Sequence, residues 1–158
     1  MMMNTSTFLT AAVIIALISS GCSSDSNQQK DNGNVILGKV ELTDGWARPG
    51  SKGNTSGAYL TIANGTAEAD TLRRISSPAA GKTELHQSYS EGDGVSGMRP
   101  AGPQAIKAAQ ELVLNPGGLH IMLMNLNQDL AVGDSVTINL EFARVGSQSV
   151  KLPIQIQQ

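Results

Sequence analysis

Two residue types in this chain bind soft metal ions, and both are concentrated in one stretch. The histidines His86 and His120 and the methionines Met98, Met122 and Met124 all lie between positions 86 and 124. The other methionines, Met1, Met2 and Met3, precede an apolar leader. Methionines that merely fill a core would be scattered. Thioethers are neutral and soft; with imidazole they suit Cu(I) and match Mg, Ca or Zn poorly. Two His with two Met therefore read as a site for one Cu(I) ion. A blue-copper centre needs a Cys thiolate, and the single cysteine, Cys22, stands at the end of the leader, far from His86. Copper carriage is thus favoured over electron transfer. An enzyme is not expected: no nucleophile is paired with a base, and a thioether-rich site does not suit water activation.

A strand must position the densest part of this set. In Leu119 to Leu126 (LHIMLMNL), the period of two places His120, Met122 and Met124 on one face and Leu119, Ile121 and Leu123 on the other. Alternate residues on a face are roughly 6.5 to 7 Å apart at Cα, so His120 and Met122 can share an ion. Met124 lies two residues farther along, and packing is favoured for it over ligation. One strand supplies two ligands, and a stable site needs more. His86 and Met98 are the remaining soft candidates. His86 falls in a strand expected over Lys82 to Tyr89, where Leu85 faces one way and Glu84 with His86 the other. Glu84 is there either a solvated carboxylate or an acceptor that orients the imidazole. Met98 comes late in a glycine-rich excursion, EGDGVSGMRPAGP, read as a loop. Trp46 and Arg48 read as structural residues near the site.

The rest of the chain supplies more strands. Seventeen glycines, six prolines and few aromatics favour short β-branched strands and tight turns over helices. Val40 and Leu42 alternate with polar neighbours, and the segment Gly57 to Ala63 closes on Asn64-Gly65, a common hairpin dipeptide. Thr71 to Ile75, the surroundings of Ile106, and Leu112 to Leu114 follow, and then Asn115-Pro116-Gly117-Gly118, a strong turn signal. The cleanest alternation is Val136, Ile138, Leu140, Phe142 and then Val150, Leu152, Ile154, Ile156. Pro153 cannot donate to a ladder, so that last strand is expected to be an edge or to have its proline amide side facing out. Seven to nine short antiparallel strands predict an all-β sandwich or Greek-key barrel, in a single domain.

The N-terminus predicts export. Phe8 to Ile18 (FLTAAVIIALI) is too short to span a bilayer and suits a signal peptide. It ends in Ser19-Ser20-Gly21-Cys22, which resembles a bacterial lipobox with Ser19 in the usual leucine position. The expectation is a lipoprotein signal peptide over 1–21, lipidation at Cys22, a flexible polar tether over 22–35, and a copper-binding domain over 36–158. The protein would then be a monomer outside the cytoplasm, in the periplasm, held to the membrane by its lipid alone. A net charge of -2, from 11 basic and 13 acidic residues, offers no basic patch for nucleic acid.

These residues resemble the PCuAC-type periplasmic copper chaperones. The family pattern is a His, often followed by Met, then ten residues, a Met, 21 residues, and His-x-Met. Here His86 and Gln87 are followed by ten residues to Met98, and 21 more lead to His120, Ile121 and Met122. The stretches GWARP, SGAYLTIAN, SSPAAGKTELH, MRP and PGGLHIMLMNL are also similar to the family, over nearly all of residues 36–156. Singly, a strand His is more often a surface residue and a Met a core filler; the joint spacing argues otherwise. The resemblance implies a cupredoxin-like antiparallel β-sandwich of Greek-key type binding one Cu(I) through His86, Met98, His120 and Met122. It implies delivery to an apo CuA domain of cytochrome c oxidase, or exchange with another copper chaperone. A copper-buffering lipoprotein without a client and a metal-free interaction module are the alternatives.

Overall fold

A computed structural model describes residues 35–37 and 40–156; the leader, Cys22 and most of the tether lie outside the described residues. Alternating apolar residues and turn formers resolve into strands β1 (Val35–Leu37), β2 (Val40–Ala47), β3 (Ser56–Asn64), β4 (Asp70–Ser76), β5 (Ala80–Ser90) and β6 (Ser96–Pro100). They continue as β7 (Gln104–Ile106), β8 (Gln110–Leu114), β9 (Leu119–Leu126), β10 (Ser135–Phe142) and β11 (Ser147–Pro153). Among the described residues the only helix is a 3-10 turn, Gly92–Gly94.

The strands form two antiparallel sheets. One runs β1-β2-β3-β9-β5-β6, with β8 also paired to β3, and the other runs β11-β10-β4-β7. Each sheet turns one alternating set of side chains inward. Leu42, Leu60, Ile62, Leu85, Ile121 and Leu123 from the first meet Leu72, Ile138, Leu140, Phe142 and Leu152 from the second, all buried in one core. Each such side chain stabilises the fold by about 1.5–3 kcal/mol. The expected all-β antiparallel sandwich is what the chain forms. Pro153 lies at the end of β11, and β11 is a sheet edge, as its missing N–H requires.

Three local features depart from expectation. Asn64-Gly65 does not close a hairpin: β3 and β4 belong to different sheets, and neither residue has the positive φ that a type I′ turn needs. The buried Asn64 side chain instead organises a crossover, its amide donating to the carbonyls of Glu68 (2.9 Å), Ile106 (3.0 Å) and Lys107 (3.3 Å). Its Oδ1 accepts from Thr66 N and Oγ1, so side-chain hydrogen bonding overrides the dipeptide's turn preference. The glycine-rich excursion contains β6, which pairs with β5 from His86↔Pro100 to Ser90↔Ser96. Finally, β8 and β9 both lie antiparallel to β3, β8 along Leu60–Asn64 and β9 along Ser56–Ala58. Residues 115–118 therefore loop out of one continuing direction, closed by Asn115 N donating to Leu119 O at 2.7 Å.

Candidate metal centre

The candidate residues come from β5, β6 and β9, neighbours in the larger sheet. Residues directly opposite in an antiparallel ladder share a face. His86 stands opposite His120, Glu84 opposite Met122 and Lys82 opposite Met124. Across the other side of β5, Ser88 stands opposite Met98. His86, Met98, His120 and Met122 therefore share the sheet face turned away from the core, while Leu85, Ile121 and Leu123 between them anchor the same strands in the interior. Met124 shares the face but sits at the far end, beside Lys82. Gln87 alternates to the opposite face from His86, so a methionine there would not join this group by strand geometry.

Although they lie on the outer face, His86 and His120 are only 9% and 6% exposed. Their ring centroids are 6.4 Å apart, with the planes inclined at 50°. Two imidazoles bonded to one ion at about 2.0–2.1 Å in a four-ligand arrangement would have centroids roughly 5 Å apart, so the rings stand somewhat wider here than in a closed site. Met122 is partly buried, and Met98 is 57% exposed on the edge strand. Three candidate groups are thus sheltered and one faces solvent.

Hydrogen bonds hold the two rings differently. His120 Nδ1 lies 3.0 Å from Gly118 O; a carbonyl only accepts, so Nδ1 carries the proton and Nε2 keeps its lone pair. His86 Nε2 lies 3.2 Å from Glu84 Oε2, and Lys82 Nζ lies 2.9 Å from Glu84 Oε1. Lys82 foremost, and then His86, hold the Glu84 carboxyl below its ordinary pKa, burial opposing them. His86 Nδ1 is left buried with no partner, the one such side-chain atom among the described residues. Unpaired buried polar atoms are costly, and a basic nitrogen left without a protein partner is suited to a metal ion. Among the described residues no three His, Cys, Asp or Glu side chains come together as a metal cluster.

Behind the rings lies a small aromatic group apart from the main core. Trp46 and Tyr59 are buried and pair across β2 and β3, with ring centroids 4.5 Å apart. Tyr59 lies 6.3 Å from the His120 ring, and the Arg48 guanidinium sits over its outer side at 5.6 Å. Trp46 and Arg48 therefore stand beside the candidate site as expected, joined to it through Tyr59. Tyr59 carried no signal as a site residue in sequence. The clue available was its parity with Gly57, which faces Met122 across the ladder.

Comparison with known proteins places this architecture. A chain from Leifsonia xyli subsp. xyli, "Putative lipoprotein Lxx21020", is 26% identical over 116 residues, covering 73% of this chain and 69% of that one. The "Uncharacterized protein RP573" of Rickettsia prowazekii is 32% identical over 108 residues. That alignment covers 65% of this chain and 59% of RP573, so less than two thirds of the relative is spanned. Among solved structures, the "Copper-bound PCuAC domain from PmoF2" superposes with a TM-score of 0.66 at 17% identity, covering 78% of this chain and 98% of that domain. The "Solution structure of CuI-DR1885" of Deinococcus radiodurans gives 0.55 at 26% identity, covering 72% and 78%. The sandwich is thus the fold of PCuAC domains. A family model described as "Putative lipoprotein LpqE-like" matches residues 40–154, and on that match the chain belongs to the LpqE-like family.

Proposed function

We propose that this protein is an extracytoplasmic copper chaperone that carries one Cu(I) ion on His86, Met98, His120 and Met122. The observation that carries this reading is the placement of His86 directly opposite His120. Both methionines share their face, and a buried imidazole nitrogen there has no protein partner. Copper-bound and Cu(I)-bound structures of the same fold support it. Neutral thioethers hold Cu(I) without a charge that must be neutralised at release, and an exposed donor such as Met98 gives a recipient access. The family and the one relative named as a lipoprotein support a signal peptide over 1–21, lipidation at Cys22 and a tether over 22–35 before the domain. The cargo is delivered to an apo CuA domain of cytochrome c oxidase, a client suggested by the resemblance to PCuAC chaperones.

Titration of the domain with Cu(I) in competition with bicinchoninate tests the site. One equivalent bound by the wild type, and none by a His120→Ala, Met122→Ala double variant, is expected. Equal competition by both proteins would remove the copper reading. For delivery, the Cu(I)-loaded protein is mixed with an apo CuA domain, and appearance of the CuA absorption is expected; full retention of copper would point to buffering instead.

A further inference from the structure

Resting on that reading, we propose that the two imidazoles bind through different nitrogens, His86 through Nδ1 and His120 through Nε2, and that Glu84 is the positioning residue imposing this asymmetry. Gly118 O and Glu84 Oε2 each accept from one ring nitrogen, but from opposite sides: from Nδ1 of His120 at 3.0 Å and from Nε2 of His86 at 3.2 Å. A neutral imidazole has one N–H and one lone pair, so each acceptor fixes which nitrogen remains basic. For His120 that nitrogen is Nε2. For His86 it is Nδ1, the buried atom without a partner.

The acceptors are themselves held. Glu84 is tied by Lys82 Nζ at 2.9 Å to its other carboxylate oxygen, and both residues project from the same face of β5 two positions apart, as His86 does. Lys82, Glu84 and His86 thus form a row of three along one strand, in which the middle carboxylate has one oxygen for each neighbour. Gly118 O is fixed by the looped segment 115–118, whose closing bonds are Gly118 N to Asn115 O and Asn115 N to Leu119 O. Residues that hold a ligating imidazole by its other nitrogen set its tautomer and orientation. Nδ1 lies nearer its own backbone than Nε2, so binding through Nδ1 of His86 draws the ion toward β5. That shift is toward the β6 side of the pair, where Met98 stands.

The test reads the tautomers directly, in the metal-free protein, by long-range 1H–15N correlation of the ring nitrogens at a pH where both imidazoles are neutral. His86 is expected as the Nε2–H form and His120 as the Nδ1–H form. Glu84→Ala should release His86 into a mixture, leave His120 unchanged, and weaken Cu(I) by roughly 10–100-fold in the bicinchoninate competition. Glu84→Gln, which retains an acceptor oxygen, should restore most of that loss. Glu84 is partly exposed on the outer face, so these variants keep the core. An Nδ1–H form for His86 in the wild type would overturn the proposal, as would Glu84→Ala leaving both tautomer and affinity unchanged. Because the tautomers are read without metal, the expected tautomers in a wild type that fails to bind Cu(I) would sink the chaperone reading, and with it the binding mode, while leaving the control of the His86 tautomer by Glu84 standing.

Discussion

Gly57→Ala gives a sharp test of how the aromatic group beside the site is packed. Gly57 has no left-handed backbone, so alanine meets no φ penalty, and lost chain entropy in the unfolded state would ordinarily make the change stabilising by about 0.4–1 kcal/mol. The structure predicts the opposite sign. A Cβ at Gly57 would lie 2.8 Å from Tyr59 Oη and 3.3 Å from its Cζ. Tyr59 is 5% exposed, with Trp46 and Arg48 against its ring, and a rigid ring so enclosed can only move as a whole. Displacing it forfeits the pairing with Trp46, about 0.5–1.5 kcal/mol, and the Arg48 contact, about 0.5–1 kcal/mol. Set against the entropic gain, Gly57→Ala should destabilise by roughly 1 kcal/mol. In a Tyr59→Ala background the same change should stabilise by roughly 0.5 kcal/mol. Urea unfolding of the four proteins of this cycle, at matched m-values, measures the difference. If Gly57→Ala has the same effect in both backgrounds, the packing argument is wrong.

Other expectations separate fold from site. Leu123→Ala, at a position with no exposed surface, should cost 2–5 kcal/mol, roughly, in urea unfolding, whereas Met122→Leu on the opposite face should leave stability within about 1.5 kcal/mol and still weaken Cu(I) in the bicinchoninate competition. Asn64→Leu removes three donated and two accepted hydrogen bonds from a buried crossover; unfolding should be easier by at least about 2 kcal/mol, and an unchanged midpoint would contradict the bracing role. The lowered Glu84 pKa, set by Lys82 and then His86, means that its contribution to stability is complete above the ordinary value near 4.5 and is lost as pH falls through the lower folded value. In the metal-free protein, the advantage of wild type over Glu84→Gln in urea should therefore shrink between pH 6 and 3, and a constant gap would refute it. Cys22→Ser should abolish globomycin-sensitive processing, and unchanged sensitivity would place lipidation elsewhere.

Much of this fold is written in alternation. Val136 to Phe142 and Leu119 to Leu126 reveal their buried faces because each strand has one face on the core, and the parity that buries Ile121 also turns His120 outward. Pro153 announced an edge because its lack of an N–H is a local property. Asn64-Gly65 misled because the dipeptide's turn preference is worth less than the carbonyls of Glu68, Ile106 and Lys107, two of them more than 40 residues away. Strand β6 was hidden because its residues are serine, glycine, methionine, arginine and proline, with no inward apolar face; its pairing comes from the backbone of β5. Spacing brought the four candidate ligands together as a set, whereas Tyr59 became visible only through cross-strand neighbours. The burial of both histidines on an outward face was likewise beyond period-two reasoning, since it depends on cross-strand neighbours such as the Tyr59 ring beside His120.

The edge position of Met98 bears on how fast cargo could leave. Strand β6 has a paired neighbour on one side only, and such margins open locally at free energies well below that of global unfolding. Of the four proposed ligands, Met98 is thus the one that the fold can withdraw while β5 and β9 stay locked through Leu85, Ile121 and Leu123. Handover would then proceed by substitution: an incoming donor replaces one thioether before either imidazole lets go. The residence time of the ion would be governed by a five-residue ladder, and strengthening the sandwich elsewhere would leave it unchanged.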